Sequence, residues 1–342
     1  DLRSKLRIPV MAGPMFIAST ADLVIAQCNA GIIGSMPALN PRSTEALGED
    51  VERIAASVAN MPYAINLVAH ASNSRLEADF EVVLKYKVPI VVLALAANPD
   101  LVKRLQDNGS LVFQDVIKNR HAQKCAEMGV DAIIAVAAGA GGHTGDLSPF
   151  ALVQEIREWW DGLLLLSGCI ASGRSVLAAE VLGADLAYIG SPFLASTEAN
   201  TQAGFKQMIV DGAAADIVTT NCFTGVDANF LRQSLIENGL DPANLKRAEG
   251  KGINIDGGGD FTNNIAGDGA LSAQLQHHLG CALRMAPGDD VLRLPQARER
   301  GHVLQTGQKH IAATHRMADA GLCTRQWPQG QAQIRVERHP CA

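Results

Sequence analysis

The stretch of sequence that decides the fold runs from Leu163 to Phe193 and reads "LLLLSGCIASGRSVLAAEVLGADLAYIGSPF". Two apolar runs, Leu163–Ile170 and Leu186–Phe193, flank a segment with helical spacing that ends in glycine. Near-continuous apolar runs are typical of parallel strands that are covered on both faces. Helices commonly end at a glycine. The stretch therefore predicts a strand, a helix and a second, parallel strand.

The same unit recurs through residues 1–200. Helical segments alternate with six further apolar runs: Ile8–Gly13, Ile32–Met36, Tyr63–Ala69, Ile90–Leu95, Ser110–Val116 and Asp131–Gly139. The short repeat fits a compact barrel better than a doubly wound sheet. We therefore predict the α/β class and a TIM (β/α)8 barrel that occupies residues 1–200.

The pattern changes after the eighth run. Residues 204–225 and 229–240 have the spacing of two helices, and a glycine-rich loop follows them. We predict that residues 201–265 form a small helical insertion near the carboxyl-terminal mouth of the barrel, within the same domain. Residues 266–342 are rich in Gln, His and Arg, and Trp327 is their only aromatic residue. We predict that this atypical tail does not pack with the domain; it is either a divergent natural tail or the product of a shifted reading frame.

Composition narrows the class of protein. The chain has 342 residues, of which 47% are hydrophobic, and its net charge is −6. It lacks the basic stripe that binds nucleic acid and an apolar run of about 18 residues that would span a membrane. The seven cysteines have no metal-binding spacing and no even count, which argues against a metal site and a disulfide framework. These features predict a cytoplasmic protein.

The loops after the last two strands predict a phosphate site. In a TIM barrel the active site lies in the loops that follow the strands, and the loops after strands seven and eight often hold a phosphate. Here Ser167–Gly173 and the pair Gly190 and Ser191 each lead into a helix. Backbone N–H groups at helix amino termini attract a dianion, and the hydroxyls of Ser167 and Ser191 add donors. The alternative is a pair of ordinary glycine-containing turns.

The loop after strand six reads "AAGAGGHTGDLSPF", from Ala137 to Phe150. Its glycines would let the main chain approach a flat ring closely. His143 would then point into the barrel mouth, and histidine can take or hold a proton at physiological pH. The alternative is a structural histidine.

Two earlier strands end in residues that suit a ligand. Met11 and Gly13 lie at the end of the first strand, and Asn66 and His70 at the end of the third. The amide of Asn66 could serve the N–H and C=O edges of a heterocycle. The alternatives are a strand-end cap for Asn66 and a surface position for His70.

These segments together resemble the nitronate monooxygenase family, formerly called 2-nitropropane dioxygenases. The resemblance covers residues 7–264 and is carried by "PVMAGPMF", "INLVAH", "AVAAGAGGHTGDLSPFALVQEIR", "LSGCIASGR" and "GADLAYIGSPFLASTEA". The family implies a TIM barrel with non-covalent FMN. It also implies oxidation of an alkyl nitronate with O2 to a carbonyl compound and nitrite.

The resemblance also implies roles for particular residues. The family's catalytic histidine falls on His143, and its phosphate-binding glycines fall on Gly168 and Gly190. Cys169 stands where the family usually has a second Gly or Ala; since its backbone N–H is unchanged, we predict that phosphate binding survives. The expected flavin-binding residues are Met11, Ala12, Gly13, Asn66, Gly141, Gly142, Ser167, Gly168, Gly190 and Ser191.

Two other functions stay open. Relatives on the same scaffold include FMN-dependent enoyl-acyl carrier protein reductases and quinone reductases, which use NAD(P)H. No G-x-G-x-x-G motif opens a helix after the first strand, so a Rossmann domain is not predicted, although NAD(P)H could still dock over a flavin. The other alternative is a flavin-binding protein without catalytic activity, or an inactive fragment.

Overall fold

Eight parallel strands form a barrel in the computed structural model, which describes residues 2–70, 73–94, 98–223 and 225–247. The strands are β1 (Val10–Ala12), β2 (Gly34–Pro37), β3 (Tyr63–Val68), β4 (Ile90–Ala94), β5 (Leu111–Val116), β6 (Ala132–Val136), β8 (Leu163–Ser167) and β9 (Leu186–Ile189). Their order in the sheet is β1-β9-β8-β6-β5-β4-β3-β2. Each strand lies within or beside its predicted apolar run, so the predicted TIM barrel is confirmed.

The barrel closes between its first and second strands. Met11 of β1 and Ile33, just before β2, form an isolated parallel bridge. The Ala12 N–H donates to the Ile33 carbonyl (2.8 Å), and the Ile33 N–H donates to the Val10 carbonyl (3.1 Å). These bonds join the two edges of the sheet.

Helices cover the outside of the barrel, as the sequence predicts. They are α1 (Ala21–Asn29), α2 (Thr44–Ser57), α3 (Leu76–Lys85), α4 (Pro99–Asp107), α5 (Asn119–Glu127), α6 (Pro149–Arg157), α7 (Gly173–Leu182) and the short α8 (Ser191–Leu194). Several begin at a side chain that caps the first turn; Thr20, Ser43 and Asn98 accept backbone N–H bonds in this way. Such caps satisfy donors that have no partner within the helix.

The alternation of side chains along each strand divides the core into two layers. On β5, Val112 and Val116 face the helices, whereas Phe113 faces the barrel interior. The interior layer also holds Met11, Ile33, Ala64, Val92, Ile134 and Leu165. Successive residues of a strand point to opposite faces, so these assignments fix which side chains look into the barrel.

Some predicted runs extend past the ends of the strands. The run Asp131–Gly139 contains β6, which ends at Val136, and the chain then turns, with the Ala140 N–H bonded to the Ala137 carbonyl (3.2 Å). The run Leu186–Phe193 is divided between β9 and α8. Apolar residues beyond a strand end still bury themselves in the mouth of the barrel, so hydrophobicity alone does not mark the boundary.

The insertion after β9 is only partly helical. It contains α9 (Ala203–Asp211) and α10 (Arg232–Glu237), but also β10 (Ile217–Thr220) and β11 (Ala228–Leu231). The helical predictions for residues 217–220 and 229–231 are therefore wrong. The β-branched run "IVTT" favours a strand, and β10 pairs antiparallel with β11, which pairs with β7 (Gly142–His143).

The predictions for residues 248–265 and for the tail, residues 266–342, lie outside the described residues. In the ranges described, no helix combines the length and the apolar character needed to cross a bilayer.

Candidate active site

A narrow cleft at the carboxyl ends of β6, β8 and β9 brings together five of the predicted site residues: Gly141, Ser167, Gly168, Gly190 and Ser191. Its other lining residues are Gly139, Ala140, Cys169, Ile170, Tyr188 and Ile189. Because four of the lining residues are glycines, much of the wall is exposed backbone. No charged side chain lines it.

The loops after β6 and β8 interlock at two glycines. Gly139 has φ +83°, and a Cβ there would lie 2.1 Å from the Cys169 Sγ. Gly168 has φ +138°, and a Cβ there would lie 2.9 Å from the Ala138 carbonyl oxygen. Side chains are excluded at both positions by space and by backbone conformation. Gly139 and Gly168 are therefore required for the close packing of the loops after β6 and β8.

The loop after β8 offers fewer N–H donors than we predicted. The Cys169 N–H donates to the Gly139 carbonyl (3.1 Å), so the prediction that this group stays available for a phosphate needs correction. The first turn of α7 is capped by Ser172 and Ser175, and the Ser175 hydroxyl accepts from the N–H groups of Ala171 and Ser172. The N–H groups of Gly168 and Ile170 are the donors that this loop can still offer.

The turn after β9 is built on Gly190, which is the N-cap of α8. Pro192 has no N–H, and the Phe193 N–H donates to the Gly190 carbonyl (3.0 Å). Gly190 and Ser191 both line the cleft, so this turn brings a backbone N–H and a hydroxyl side chain to its wall. A Cβ on Gly13 would lie 3.5 Å from the Gly190 Cα, so the predicted residue Gly13 packs against the back of this turn.

His143 lies outside the lining of the cleft, in the two-residue strand β7. It pairs with Ala228 of β11, and Gly142 pairs with Asn229. The Thr144 N–H also donates to the Asp227 carbonyl (3.0 Å). His143 lies seven residues after the end of β6 and is thus held by the sheet of the insertion.

The buried side chain of Asn229 holds the other end of the same loop. Its Nδ2 donates to the Ala140 carbonyl (2.7 Å), and its Oδ1 accepts from the Thr219 hydroxyl (2.5 Å). Asn229 is only 2% exposed. Sequence reasoning missed this residue, because its partner is 89 positions away and no local pattern marks it.

The His143 side chain is reached by water although protein atoms surround it closely. It has substantial exposed area, and burial nevertheless lowers the pKa of the imidazole below its usual value. Desolvation disfavours the charged form of histidine. The imidazole is therefore neutral at pH 7 and able to accept a proton.

The remaining predicted residues belong to β1 and β3. Met11 and Ala12 are fully buried, so Met11 contributes to the barrel core. Asn66 is on the inner face of β3, and its Nδ2 donates to the Val92 carbonyl (3.1 Å). His70 follows β3 and is half-buried. Neither Met11, Ala12 nor His70 lines the cleft.

Two polar side chains in the barrel interior were missed by sequence reasoning. Asp115 on β5 and Tyr188 on β9 occupy the same inner face as Phe113 and Leu186. Burial raises the pKa of Asp115 to about 6 and that of Tyr188 well above its usual value; the charge of Asp115 contributes to the shift of Tyr188. The signal for Asp115 was present, because it is an acid within the apolar run Ser110–Val116.

The cleft fits the phosphate of FMN in the chemistry of its donors. Hydroxyls of Ser167 and Ser191 and the N–H groups of Gly168, Ile170, Gly190 and Ser191 lie on the residues that form it, and no carboxylate lines it. Among the described residues, no three His, Cys, Asp or Glu side chains are grouped closely enough to hold a metal ion.

Comparison with known sequences finds a match to a protein family. The sequence profile described as nitronate monooxygenase matches residues 73–249, more than half of the chain. The "Putative monooxygenase Rv1533" of Mycobacterium tuberculosis is 33% identical over 165 residues, which are 48% of this chain and 44% of the relative. A 5-hydroxy-7a-methyl-1-oxo-octahydro-1H-indene-4-carboxyl-CoA dehydrogenase of the same organism is 27% identical over 232 residues, 67% of this chain and 64% of the relative. The chain thus spans less than two thirds of these relatives.

Comparison with solved structures gives the same barrel. Nitroalkane oxidase from Streptomyces ansochromogenes superposes with a TM-score of 0.66 at 21% identity, covering 85% of this chain and 93% of that one. At this identity the likeness extends to the fold.

Proposed function

We propose, because this chain belongs to the nitronate monooxygenase family, that it is an FMN-dependent oxidoreductase that oxidises nitro compounds, through their nitronate form, with O2. Two nitronates and one O2 give two carbonyl compounds and two nitrites, which balances atoms and charge. The catalytic residue in this proposal is His143.

The observation that carries the proposal is the placement of a neutral imidazole beside a glycine-walled cleft. His143 is fixed by β11, while residues of the same loop, Gly139 to Gly141, form a wall of the cleft. A base that is held rigidly by strand pairing keeps its geometry through turnover. The loop therefore links a proton acceptor to the proposed cofactor site.

The proposed role of His143 is to accept a proton from the carbon that bears the nitro group. The C–H bond breaks, its electron pair is delocalised onto the nitro oxygens, and the proton moves to the imidazole. Because burial lowers the pKa of His143, the ring is in its basic form at neutral pH. A bound flavin would supply the electron-accepting ring for the oxidation that follows.

The phosphate of the flavin would bind at the turn after β9. Gly190 and Ser191 would donate from the backbone, and the hydroxyls of Ser167 and Ser191 would complete the donors. This places the phosphate on neutral donors alone, since the lining of the cleft has no Lys or Arg. FMN is proposed because its single phosphate matches this single set of donors.

The variant His143→Asn tests the proposal with two forms of one substrate. Removal of a general base typically costs about 10²–10⁴-fold in rate, so turnover of a neutral nitroalkane should fall by that factor. A preformed nitronate brings no proton to remove and should retain most of its activity. Oxygen consumption and nitrite release measure both reactions, and flavin content should be unchanged.

The matched control is His121→Asn on α5, which makes the same replacement outside the barrel. It should leave both reactions unchanged. Equal losses with both substrate forms in His143→Asn would contradict a role as a base and assign His143 to electrostatic positioning. Rapid NAD(P)H oxidation without a nitro compound would support the reductase alternative, and bound flavin without either activity would support a flavin-binding protein.

A further inference from the structure

The side chain of Asn229 joins the insertion to the loop that carries His143. Its Nδ2 donates to the Ala140 carbonyl (2.7 Å), while its backbone lies opposite Gly142 in the pairing of β11 with β7. The next pair in that register is Ala228 with His143. One residue of the insertion therefore holds the segment from Ala140 to His143 near both of its ends.

The two ends of this segment belong to different parts of the candidate site. Ala140 lines the cleft between Gly139 and Gly141, whereas His143 lies outside the lining. The distance from the cleft to the imidazole depends on the course of the chain through Gly141 and Gly142. Because glycine adopts many backbone conformations, the segment needs contacts from outside to keep one geometry.

Burial and hydrogen bonds fix the orientation of the Asn229 amide. The residue is buried, and its Oδ1 accepts from the hydroxyl of Thr219, which lies opposite it on β10 (2.5 Å). An amide has a donor end and an acceptor end, so the hydroxyl on the oxygen turns the nitrogen toward Ala140. A buried polar group with both ends bonded is rigid. Asn229 can therefore transmit the position of the sheet of the insertion to the loop.

The contacts of this loop with the barrel lie on either side of the segment. The Cys169 N–H donates to the Gly139 carbonyl (3.1 Å), and the Thr144 hydroxyl donates to the Ala137 carbonyl (3.2 Å). Between these contacts the chain runs beside β11. The insertion therefore sets the geometry of residues 140–143.

We propose that Asn229 is a positioning residue for His143. By holding the Ala140 carbonyl, its amide keeps the imidazole at a constant distance from the cleft, and Thr219 orients that amide. Asn229 does not line the cleft, so it acts through the loop. The inference rests on the proposed function, which assigns the proton transfer to His143.

The geometric demand of proton transfer gives the reason for this role. A base must lie within about 3 Å of the proton that it accepts. A misplacement of about 1 Å can lower a rate about 10²-fold. A glycine-containing segment without its amide contact would let the imidazole of His143 move by such a distance.

A double-mutant cycle tests whether Asn229 acts through His143. Wild type, Asn229→Ala, His143→Asn and the double variant are assayed with excess FMN, on a neutral nitroalkane and on its preformed nitronate. Asn229→Ala should lower kcat for the nitroalkane about 10- to 100-fold and leave KM and nitronate turnover nearly unchanged. In the His143→Asn background it should cause no further loss, because a displaced base and an absent base are equivalent. Losses that multiply in the double variant would overturn the inference.

Hydrogen exchange followed by mass spectrometry examines the loop without turnover. In Asn229→Ala the backbone amides of residues 139–146 should exchange about ten-fold faster, because local opening no longer breaks the bond to Ala140. The amides of the barrel strands should not change. Unchanged exchange in the loop would overturn the inference. If the wild type oxidises no nitro compound, the proposed function fails, and the exchange rates still decide whether Asn229 holds the loop.

The control variant is Asn108→Ala, which removes the same kind of bond far from the loop in sequence. The Asn108 Nδ2 donates to the carbonyl of Leu84 on α3 (2.9 Å). This variant should leave the exchange of residues 139–146 and both rates unchanged, although it also loses a hydrogen bond. A similar loss of nitroalkane turnover in Asn108→Ala would assign the effect to general destabilisation and overturn the inference.

A second variant leaves Asn229 in place. Thr219→Val keeps the volume of the side chain and removes the hydroxyl, so the amide loses the bond that orients it. Nitroalkane turnover should fall about three-fold, and exchange in the loop should become faster. If Asn229→Ala does not fold, an unchanged rate together with unchanged exchange in Thr219→Val would overturn the inference.

Discussion

Burial acts in opposite directions on the pKa values of Asp115 and His143. It raises the pKa of Asp115 to about 6 and lowers the pKa of His143, because a low-dielectric environment disfavours the charged form of each. At neutral pH the imidazole is therefore a base and the carboxyl is an anion. The neutral state of His143 does not depend on the charge of Asp115, since burial alone lowers the pKa of His143.

The raised pKa of Asp115 predicts a pH-dependent stability. The folded protein holds this proton up to about pH 6, whereas the unfolded chain releases it near the ordinary value of 3.8. Between these values the folded state binds more protons, so its stability falls as pH rises. Asp115→Asn removes that loss. The gain in melting temperature relative to wild type should therefore be larger at about pH 7 than at about pH 4.

Thermal unfolding of the two proteins across this pH range measures the gain. Because water reaches Asp115, the effect will be smaller than full desolvation would give. Asp107→Asn, at an exposed position, serves as the comparison. A gain for Asp115→Asn that is the same at every pH would show that the carboxyl is not destabilised by burial.

At the scale of elements, the loops after β6 and β8 depend on each other. The Cys169 N–H bonds to the Gly139 carbonyl, and the Cys169 Sγ fills the space that a side chain at Gly139 would need. Asn229 and β11 hold the rest of the β6 loop. The position of His143 is therefore set by two neighbours that are distant in sequence.

The interlock predicts that Gly139→Ala is more destabilising than its backbone conformation alone explains. A left-handed conformation costs a non-glycine residue about 1–2 kcal/mol, and overpacking adds about 1–3 kcal/mol. Gly129→Ala isolates the first cost, because Gly129 has φ +79° and nothing within 4 Å of an added Cβ. Urea unfolding should give a larger loss for Gly139→Ala than for Gly129→Ala.

The double variant Gly139→Ala with Cys169→Ala should recover the overpacking part of that loss. With the sulfur removed, the nearest atoms of residue 169 lie 3.5 Å or more from the new Cβ, which is ordinary contact. The double variant should then resemble Gly129→Ala. No recovery would mean that the loops do not meet through Cys169.

The elements that sequence reasoning found are those with a local signal. Each barrel strand has an apolar run, and each outer helix has its own periodicity and cap. The sheet that holds His143 has neither: β7 is a Gly-His pair, and its partner β11 lies 85 positions further along the chain. The glycines that line the cleft could be predicted from their loops; the catalytic role of His143 stays a prediction. Asn229 could not, since its function is a long-range hydrogen bond, and Asp115 could have been, as an acid within an apolar strand.

At the scale of the whole molecule, the barrel is closed by the junction between β1 and β2, here called the seam, which has few backbone hydrogen bonds. Other neighbouring strands share ladders of at least two residue pairs, whereas β1 and β2 are joined by the bridge between Met11 and Ile33 and the bonds beside it. A buried side chain adds to this seam. The Ser35 hydroxyl on β2 donates to the Ala12 carbonyl on β1 (2.6 Å), and Ala12 precedes Gly13 in the chain.

Ser35→Ala should therefore destabilise the whole barrel. Ser35 is fully buried, so the substitution removes a hydrogen bond and leaves the second lone pair of the Ala12 carbonyl without its donor. Leaving a buried polar group unsatisfied costs about 1–3 kcal/mol.

The exposed Ser57 on α2 also donates to a backbone carbonyl, that of Arg53 (2.8 Å), and Ser57→Ala should change stability by no more than about 0.5 kcal/mol. Urea unfolding of the two variants measures the difference. Because the seam closes the sheet on itself, the loss in Ser35→Ala should appear as a lower midpoint of the single main transition, and an unchanged midpoint would mean that β1 and β2 are held together without this bond.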